Sequence, residues 1–154
     1  MEEPNTKDVS SVDRIIEALY DSISGPAGHE RDLRRFRALF HPGARLIRTA
    51  PIDGGRSQAV VLDVDGYYSA ASEYFKQNGF YEREIARRTD TFGNITHVLS
   101  TYESRHTAED PEPFSRGVNS IQLLKDGPRY SVITIFWDFE RPDNPIPPEY
   151  LPKS

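Results

Sequence analysis

Apolar residues recur at helical spacing near the start of the chain. The stripe consists of Val12, Ile15, Ile16, Leu19, Tyr20 and Ile23. Intervals of three and four residues place these side chains on one face of an α-helix. Ser10 or Ser11 is suited to cap the start of this helix, and Gly25-Pro26 ends it. The pattern predicts an amphipathic helix with one buried side.

The next 55 or so residues predict two more helices and two short strands. A second helix is expected over residues 30–40, ending at His41-Pro42-Gly43. Residues 44–49 and 58–62 have strand patterns. A third helix begins at Asp63 or Asp65 as its cap and ends at Asn78-Gly79.

Residues 80–139 predict four long strands joined by turns. The turn signals are Gly93-Asn94, residues 109–111 and residues 126–128. The complete order is helix, helix, two strands, helix and four strands. This order predicts an α+β fold in which a strongly curved antiparallel sheet wraps around the three helices as a cone and encloses a cavity.

The last strand is apolar on both faces. Residues 132–137 read Val-Ile-Thr-Ile-Phe-Trp, without the alternation expected of a strand with one solvated face. Residues 118–124 are mixed in the same way and are the expected hairpin partner. Helices cover one face only, so we expect a homodimer that packs sheet to sheet.

Length and composition indicate one domain. The 154 residues suffice for a single core, to which 17 aromatic residues contribute large apolar area. We expect the domain to span residues 9–140, with a flexible N-terminus over residues 1–8 and a proline-rich tail over residues 141–154. The tail is either disordered or held down by the apolar residues Ile146, Tyr150 and Leu151.

Charge and missing motifs narrow the range of partners. The net charge is −5 and the arginine clusters are interleaved with acidic residues, which disfavours nucleic acid. No apolar run is long enough to span a bilayer, so no membrane partner is expected and the cytoplasm is the expected location. There is no cysteine, and the four histidines are scattered, so no metal site is expected. No glycine-rich phosphate motif occurs, and we expect no cofactor.

Four segments resemble those of a known superfamily. They are residues 39–46 (LFHPGARL), 92–98 (FGNITHV), 116–123 (RGVNSIQL) and 129–137. On these segments the chain resembles the nuclear transport factor 2-like (NTF2-like) superfamily, in its SnoaL-like and ketosteroid-isomerase-like branch. The resemblance implies an α+β cone with a hydrophobic cavity, dimerisation through the sheet, and roles that range from isomerases to ligand binders and adaptors.

One departure from that branch concerns the first strand. Ketosteroid isomerases carry a catalytic Asp there, whereas residues 44–51 of this chain contain no carboxylate and Arg48 stands about where the base belongs. Steroid isomerase chemistry is therefore disfavoured.

Three residues are candidates for catalysis. His97 and Glu103 share one strand face with Arg105, which could combine a general base, a carboxylate and an oxyanion stabiliser. The same spacing is also typical of a cross-strand ladder of ion pairs. Asp138 follows an apolar run, where burial would raise its pKa, but the favoured interpretation is a strand-end Asp that is solvated or paired with an Arg.

Six residues are candidates for ligand binding: Tyr20, Arg48, Tyr102, Asn119, Gln122 and Trp137. We expect His97, Asn119 and Trp137 to share one pocket, because they lie on three successive strands of a curved sheet. The alternation along 97–105 does not decide which face points inward, so Tyr102 and His97 are alternatives for lining the cavity.

The function predicted from the sequence is the binding of a small, largely apolar molecule in an aromatic-lined cavity. One alternative is a cofactor-independent isomerase, dehydratase or cyclase acting on polyketide-like or terpenoid-like substrates. Another is a protein-interaction module that docks a partner through the sheet or the tail. The cavity itself distinguishes the three, because a binder needs an open apolar pocket, an enzyme needs acid–base groups within it, and an adaptor needs neither.

Overall fold

A computed structural model describes residues 5–153, in which three α-helices and six β-strands follow one another in the predicted order. The elements are α1 (Val12–Ile23), α2 (Leu33–Ala38), β1 (Phe40–Ile52), β2 (Arg56–Leu62), α3 (Val64–Gln77), β3 (Tyr81–Phe92), β4 (Ile95–Arg105), β5 (Ser115–Asp126), β6 (Arg129–Phe139) and a short 3-10 helix (Pro148–Tyr150). The architecture is the predicted α+β cone, a curved sheet with the helices against its inner face.

The first helix has the predicted bounds and buried face. Ser11 is its cap, and its hydroxyl accepts a hydrogen bond from the Arg14 N–H at 3.1 Å. Ile15, Ile16 and Leu19 are buried, which confirms the apolar stripe. Most of the stabilisation of this helix therefore comes from packing onto the sheet.

The second helix is shorter than predicted and the first strand is longer. Asp32 caps α2, accepting from the Arg35 N–H at 3.0 Å, and β1 already begins at Phe40. His41-Pro42-Gly43 lies within this strand and does not form a loop. The pairing of β1 with β6 is irregular between Phe40 and Arg45, and this irregularity accommodates the proline and the glycine.

The sheet has the strand order β2-β1-β6-β5-β4-β3. Four of its pairs are antiparallel, as predicted, but β1 and β6 run parallel, so the sheet is mixed and the expectation of a purely antiparallel sheet is wrong in this detail. A tight turn between two consecutive strands predicts that they pair in antiparallel orientation. The strands β1 and β6 are far apart in the chain, so no turn signals their pairing.

The inner and outer faces of the sheet are distinct. On β4 the side chains of Val98, Ser100 and Tyr102 are buried beneath the helices. Across the ladder they lie beside Ile121, Asn119 and Gly117 of β5. The even-numbered residues of β4 therefore face inward, and the odd-numbered residues, including His97 and Glu103, face outward.

Gly117 is required by a close approach. A Cβ atom at this position would lie 2.5 Å from the Tyr102 hydroxyl oxygen and 2.4 Å from the Asp138 carbonyl oxygen, well inside contact distance. The absence of a side chain at Gly117 thus allows the Tyr102 ring to lie across β5 on the inner face.

Arg31 is buried, although the arginine cluster at residues 31–37 suggests a solvated helix face. Only 5% of Arg31 is exposed. Its guanidinium donates to the backbone carbonyls of Ile23 and Gly25 at 3.2 and 2.8 Å and lies 4.2 Å from the centre of the Phe75 ring. This side chain caps the C-terminal end of α1 and joins it to α3.

The proline-rich tail lies across the outer face of the sheet. A turn at residues 141–144 reverses the chain, and Thr101 then donates its hydroxyl to the Tyr150 carbonyl at 2.6 Å. Ile146 is 8% exposed. We call residues 145–151 the strap.

The N-terminal segment predicted to be flexible is described from residue 5. Its residues 1–4 lie outside the described part of the chain. Residues 6–9 form turns, and Asp8 pairs with Arg35 at 2.9 Å. No helix between residues 5 and 153 is long and apolar enough to cross a membrane.

Candidate functional site

A cavity of about 190 Å³ lies between the helices and the inner face of the sheet. Its walls come from α1, α2, α3 and from five of the six strands. Eight of the lining side chains are aromatic: Tyr20, Phe36, Tyr67, Phe80, Tyr102, Phe114, Trp137 and Phe139. The predicted aromatic-lined cavity is therefore present.

Packed aromatic rings form one wall of the cavity. Tyr67 of α3 meets Trp137 of β6 edge-on, with ring centres 6.0 Å apart, and is stacked on Phe36 at 5.8 Å. Such offset and edge-on contacts hold the rings in place. Trp137, which is the single tryptophan of the chain, thus lies on a fixed wall of the cavity.

Glu82 of β3 supplies the carboxyl group of the cavity. Its N–H donates to the Ser24 hydroxyl just after α1 at 3.0 Å. The Ser24 hydroxyl lies 2.8 Å from the Tyr20 carbonyl, its nearer acceptor, and 3.3 Å from the Glu82 carbonyl. Gly25 and Phe80 exchange backbone hydrogen bonds beside it at 2.8 and 3.0 Å. The end of α1 therefore fixes the position of Glu82 on the inner face.

Burial changes the acidity of Glu82. Its side chain accepts one hydrogen bond, from the Ser104 hydroxyl to Oε2 at 3.0 Å. Burial among aromatic rings raises its pKa to about 7, and the bond from Ser104 offsets only part of this effect. Glu82 therefore exchanges its proton near neutral pH, as a general acid or base requires.

A chain of hydrogen bonds lies beside the cavity on the inner face. The Asn119 amide donates to the Tyr20 hydroxyl at 3.0 Å, and Tyr20 and Ser100 are 2.7 Å apart. Ser100 donates to Glu84 Oε2 at 2.5 Å, so Tyr20 is the donor in its bond to Ser100. Glu84 is paired with Arg87 at 2.9 Å, so the chain ends on a neutralised carboxylate.

Three tyrosines of the cavity wall stay protonated. Burial raises the pKa of Tyr20, Tyr67 and Tyr102 above its usual range, and the negative charge of Glu82 raises it further. The hydroxyls of Tyr67 and Tyr102 have no hydrogen-bond partner within residues 5–153, and neither is completely buried. Both are available to a bound molecule.

His97 and Glu103 lie on the outer face, away from the cavity. The His97 Nε2 atom is 2.8 Å from the Ser120 hydroxyl. Glu103 pairs with Arg83 at 2.6 Å and also with Arg105. Burial opposes ionisation of Glu103, but the hydrogen bonds from the two arginines outweigh it and hold its pKa below the usual range. The pairing of Glu103 with the two arginines is the cross-strand ladder of ion pairs. Of the three residues predicted to share one pocket, Asn119 and Trp137 line the cavity and His97 does not.

Asp138 also lies outside the cavity, and its pKa is shifted opposite to the acid–base hypothesis. Arg141 contacts its Oδ1 at 2.7 Å, and Thr49 donates to the same atom at 2.6 Å. The hydrogen bond from Arg141 is the main reason why the pKa of Asp138 falls to about 2. A carboxylate that stays ionised and paired at the strand end supports the turn into the strap.

The remaining ligand-binding candidates divide between the two faces. Tyr20, Tyr102, Asn119 and Trp137 line the cavity. Gln122 is exposed on the outer face, where it lies opposite His97. Arg48 lies beside Trp137 in the parallel pair but is exposed and does not line the cavity.

Glu82 is the site residue that sequence reasoning missed. Residues 81–84 read Tyr-Glu-Arg-Glu, which is typical of a strand in water. The one local signal is that Phe80 and Glu82 share a strand face, which places an apolar side chain beside the carboxyl. Within residues 5–153, no group of three or more His, Asp or Glu side chains could hold a metal ion.

The sequence itself has no match among protein-family models, and a comparison with curated proteins also finds none. The fold does match solved structures. An NTF2-like protein of unknown function from Silicibacter pomeroyi has a TM-score of 0.57 at 10% identity, over 84% of this chain and 92% of the other. A protein with a cystatin-like fold from Nostoc punctiforme has a TM-score of 0.63 at 9% identity, over 87% and 96%.

A third neighbour comes from yeast. The UBP3-associated protein BRE5 has a TM-score of 0.59 at 11% identity, over 82% of this chain and 91% of the other. At identities of this size, the similarity establishes the fold and no activity. The protein has the NTF2-like fold that segments 39–46, 92–98, 116–123 and 129–137 indicate.

Proposed function

We propose that the protein binds a small, largely apolar molecule in the cavity between the helices and the sheet. The observation that supports this proposal is the composition of the cavity wall, in which aromatic rings surround one carboxyl group, Glu82. Apolar walls with a few placed polar groups are the usual form of a ligand site. The rings supply apolar contact area, and Asn119 and Glu82 orient the polar end of the ligand.

The volume limits the size of the ligand. An engineered apolar cavity of about 150 Å³ holds benzene. A cavity of about 190 Å³ is slightly larger, so it suits a single ring with a short chain. Sites for drug-sized ligands are roughly 300 Å³ or more. A multi-ring steroid would not fit without a rearrangement of the walls.

Fluorescence of Trp137 provides the test. We expect 2-phenylethanol to change the emission of this single tryptophan in a saturable titration, and calorimetry to give the same dissociation constant. Asn119→Ala removes a polar group of the cavity and should weaken binding by roughly tenfold, the value of one hydrogen bond. His97→Ala is the matched control, because His97 lies on the outer face and its loss should leave the affinity unchanged.

Two results would contradict the proposal. One is the absence of saturable binding for every single-ring probe. The other is an affinity that falls in His97→Ala and persists in Asn119→Ala, which would place the site on the outer face.

A second candidate function is acid–base catalysis by Glu82. The observation that favours it is a carboxyl group inside the cavity with a pKa of about 7. A group of this acidity is suited to cofactor-independent proton transfer, as an isomerase, dehydratase or cyclase needs. The base comes from β3, whereas the inward-facing residues of β1 include no carboxylate.

Hydrogen exchange of a bound ketone tests this candidate. If Glu82 removes protons, the protein should catalyse exchange of the α-hydrogens of phenylacetone in deuterated water, and Glu82→Gln should abolish the catalysis. Exchange at the same rate in the variant would leave binding as the function.

We also propose that the protein forms a homodimer through the outer face of the sheet. Phe136 is 43% exposed there and lies beside Ile47 of β1 and Ser120 of β5. The strap covers the outer face near Thr101 on β4 and does not cover this apolar region. A protein-interaction role, suggested by the name of the UBP3-associated neighbour, would use the same exposed surface.

A further inference from the structure

We propose that the ligand of the cavity is a small organic amine, bound as its ammonium ion by Glu82 and the aromatic rings around it. This inference rests on the proposed binding function and specifies the chemical class of the ligand. It follows from the polar groups that remain free in the cavity wall and from the charges present there.

The charge of the cavity wall favours a cationic ligand. Glu82 is acidic, and no lysine, arginine or histidine among the described residues lines the cavity. The nearby Glu84 is already paired with Arg87. An anionic ligand would be desolvated beside Glu82 with no cation to compensate it. A cationic ligand would neutralise Glu82 in place.

The free polar atoms of the cavity wall favour a ligand that donates hydrogen bonds. Two donors next to the cavity are directed at protein atoms, because Ser104 donates to Glu82 and Asn119 donates to Tyr20. The Glu82 Oε1 atom and the Asn119 amide oxygen have no hydrogen-bond partner within residues 5–153, and neither is completely buried. The Tyr67 and Tyr102 hydroxyls can also accept, so each of these four polar groups can accept a hydrogen bond from a ligand. An ammonium group has only donors, so it complements this wall.

The aromatic rings of the cavity wall also favour a cation. The charge of Glu82 raises the pKa of Tyr20 on α1, Tyr67 on α3 and Tyr102 on β4, so all three rings lie near the carboxyl group. Trp137 is in edge contact with Tyr67. The faces of electron-rich rings attract organic cations. A carboxylate among tyrosine and tryptophan rings therefore favours an ammonium ion over a neutral group of the same shape.

The pH dependence of binding follows from the same groups. The three tyrosines that face Glu82 stay neutral, so Glu82 is the group that titrates near neutrality. An ammonium ion requires the ionised carboxylate, so Glu82 releases its proton when the amine binds at low pH. With a pKa of about 7 in the free protein, the affinity should rise about 50-fold between pH 5 and pH 7 and then level off.

Three probes of one shape provide the test: 2-phenylethylamine, 2-phenylethanol and phenylacetate. Calorimetry on the full chain at pH 8 should show the amine binding at least about tenfold more tightly than the alcohol, and phenylacetate not binding. Glu82→Gln should weaken amine binding by roughly 30-fold or more and change alcohol binding less than about threefold. Glu73→Gln is the control, because it removes the same charge from the exposed face of α3.

The outcomes separate this inference from the proposed function. Equal affinities for amine and alcohol, or an amine affinity that does not depend on pH and Glu82, would overturn the inference while binding itself stands. Binding of none of the probes to the wild type or Glu82→Gln would overturn both. A pH profile with the expected rise supports the inference without reference to any variant.

Discussion

Glu82 shows how one residue can be held where its charge is unfavourable. Its N–H donates to the Ser24 hydroxyl at 3.0 Å, which fixes the backbone of Glu82 on the inner face of the sheet. The surrounding rings cannot solvate a carboxylate, and Ser104 offers a single hydrogen bond. The folded protein therefore keeps a proton on Glu82 at pH values at which the unfolded chain has lost it.

Replacement of Glu82 by Gln should change how stability depends on pH. The pKa is about 7 in the folded state and 4.5 as a reference for the unfolded chain. The folded state thus binds more protons than the unfolded state between these values, and the stability from neutral Glu82 is lost as pH rises towards 7. We expect Glu82→Gln to raise the free energy of unfolding at pH 8 by at most about 3 kcal/mol relative to the wild type. Urea denaturation measures this difference as a higher midpoint concentration.

At pH 4.5 the advantage of this variant should be small, because Glu82 is then neutral in the folded protein. The control Glu73→Gln should follow the wild type at both pH values, since Glu73 is exposed. A Glu82→Gln variant less stable than the wild type at pH 8 would show that the carboxylate is solvated or paired in solution.

The strap is the element whose behaviour is hardest to read from composition. Residues 145–147 precede the short 3-10 helix, and the segment has few internal hydrogen bonds to stabilise it. Contacts with the sheet hold it instead, through Ile146 and the bond from Thr101 to Tyr150. The turn before it is tied to Asp138 by Arg141 and Asn144.

Truncation of Ile146 measures how firmly the strap is held. We expect Ile146→Ala to lower the free energy of unfolding by about 2 kcal/mol, the lower end of the range for a buried isoleucine. Hydrogen exchange in the strap should increase at the same time. Leu151→Ala is the control, because Leu151 is only half-buried and should cost less. A loss below about 0.5 kcal/mol for Ile146 would mean that the strap is loose in solution.

At the scale of the whole molecule, the two faces of the sheet have different occupants. The helices cover the inner face and enclose the cavity. The strap covers part of the outer face near Thr101 of β4, away from Phe136 on β6. The apolar surface around Phe136 and Ile47 is left for a second copy.

Light scattering tests the dimer. At low micromolar concentration we expect a mass of twice 17.6 kDa and, for Phe136→Asp, a monomer, because a charge would be buried in the interface. Phe92→Asp is the matched control, since Phe92 is 85% exposed at the β3–β4 turn and away from this surface. A monomeric wild type would contradict the proposed dimer. A Phe136→Asp variant that remains dimeric would show that the interface lies on another surface.

The sequence determined the elements of this protein and their order. Helix α1, the cap at Asp63 and the turn at Gly127 depend on residues within a few positions of one another. Local backbone geometry sets the period of a helix or a strand, so a local pattern is sufficient to predict it. The supply of aromatic residues for the cavity is likewise visible in the composition.

Only the tertiary structure decided which chemistry the cavity contains. The Ser24–Glu82 bonds join residues 58 positions apart, and the Asn119–Tyr20 bond spans 99. The choice of inner face on β4, the parallel pairing of β1 with β6 and the pKa of Glu82 all depend on such distant partners. Burial is a property of what covers a residue and not of its neighbours in the chain, so Glu82 resembles a surface residue in sequence and becomes the central polar group of the cavity on folding.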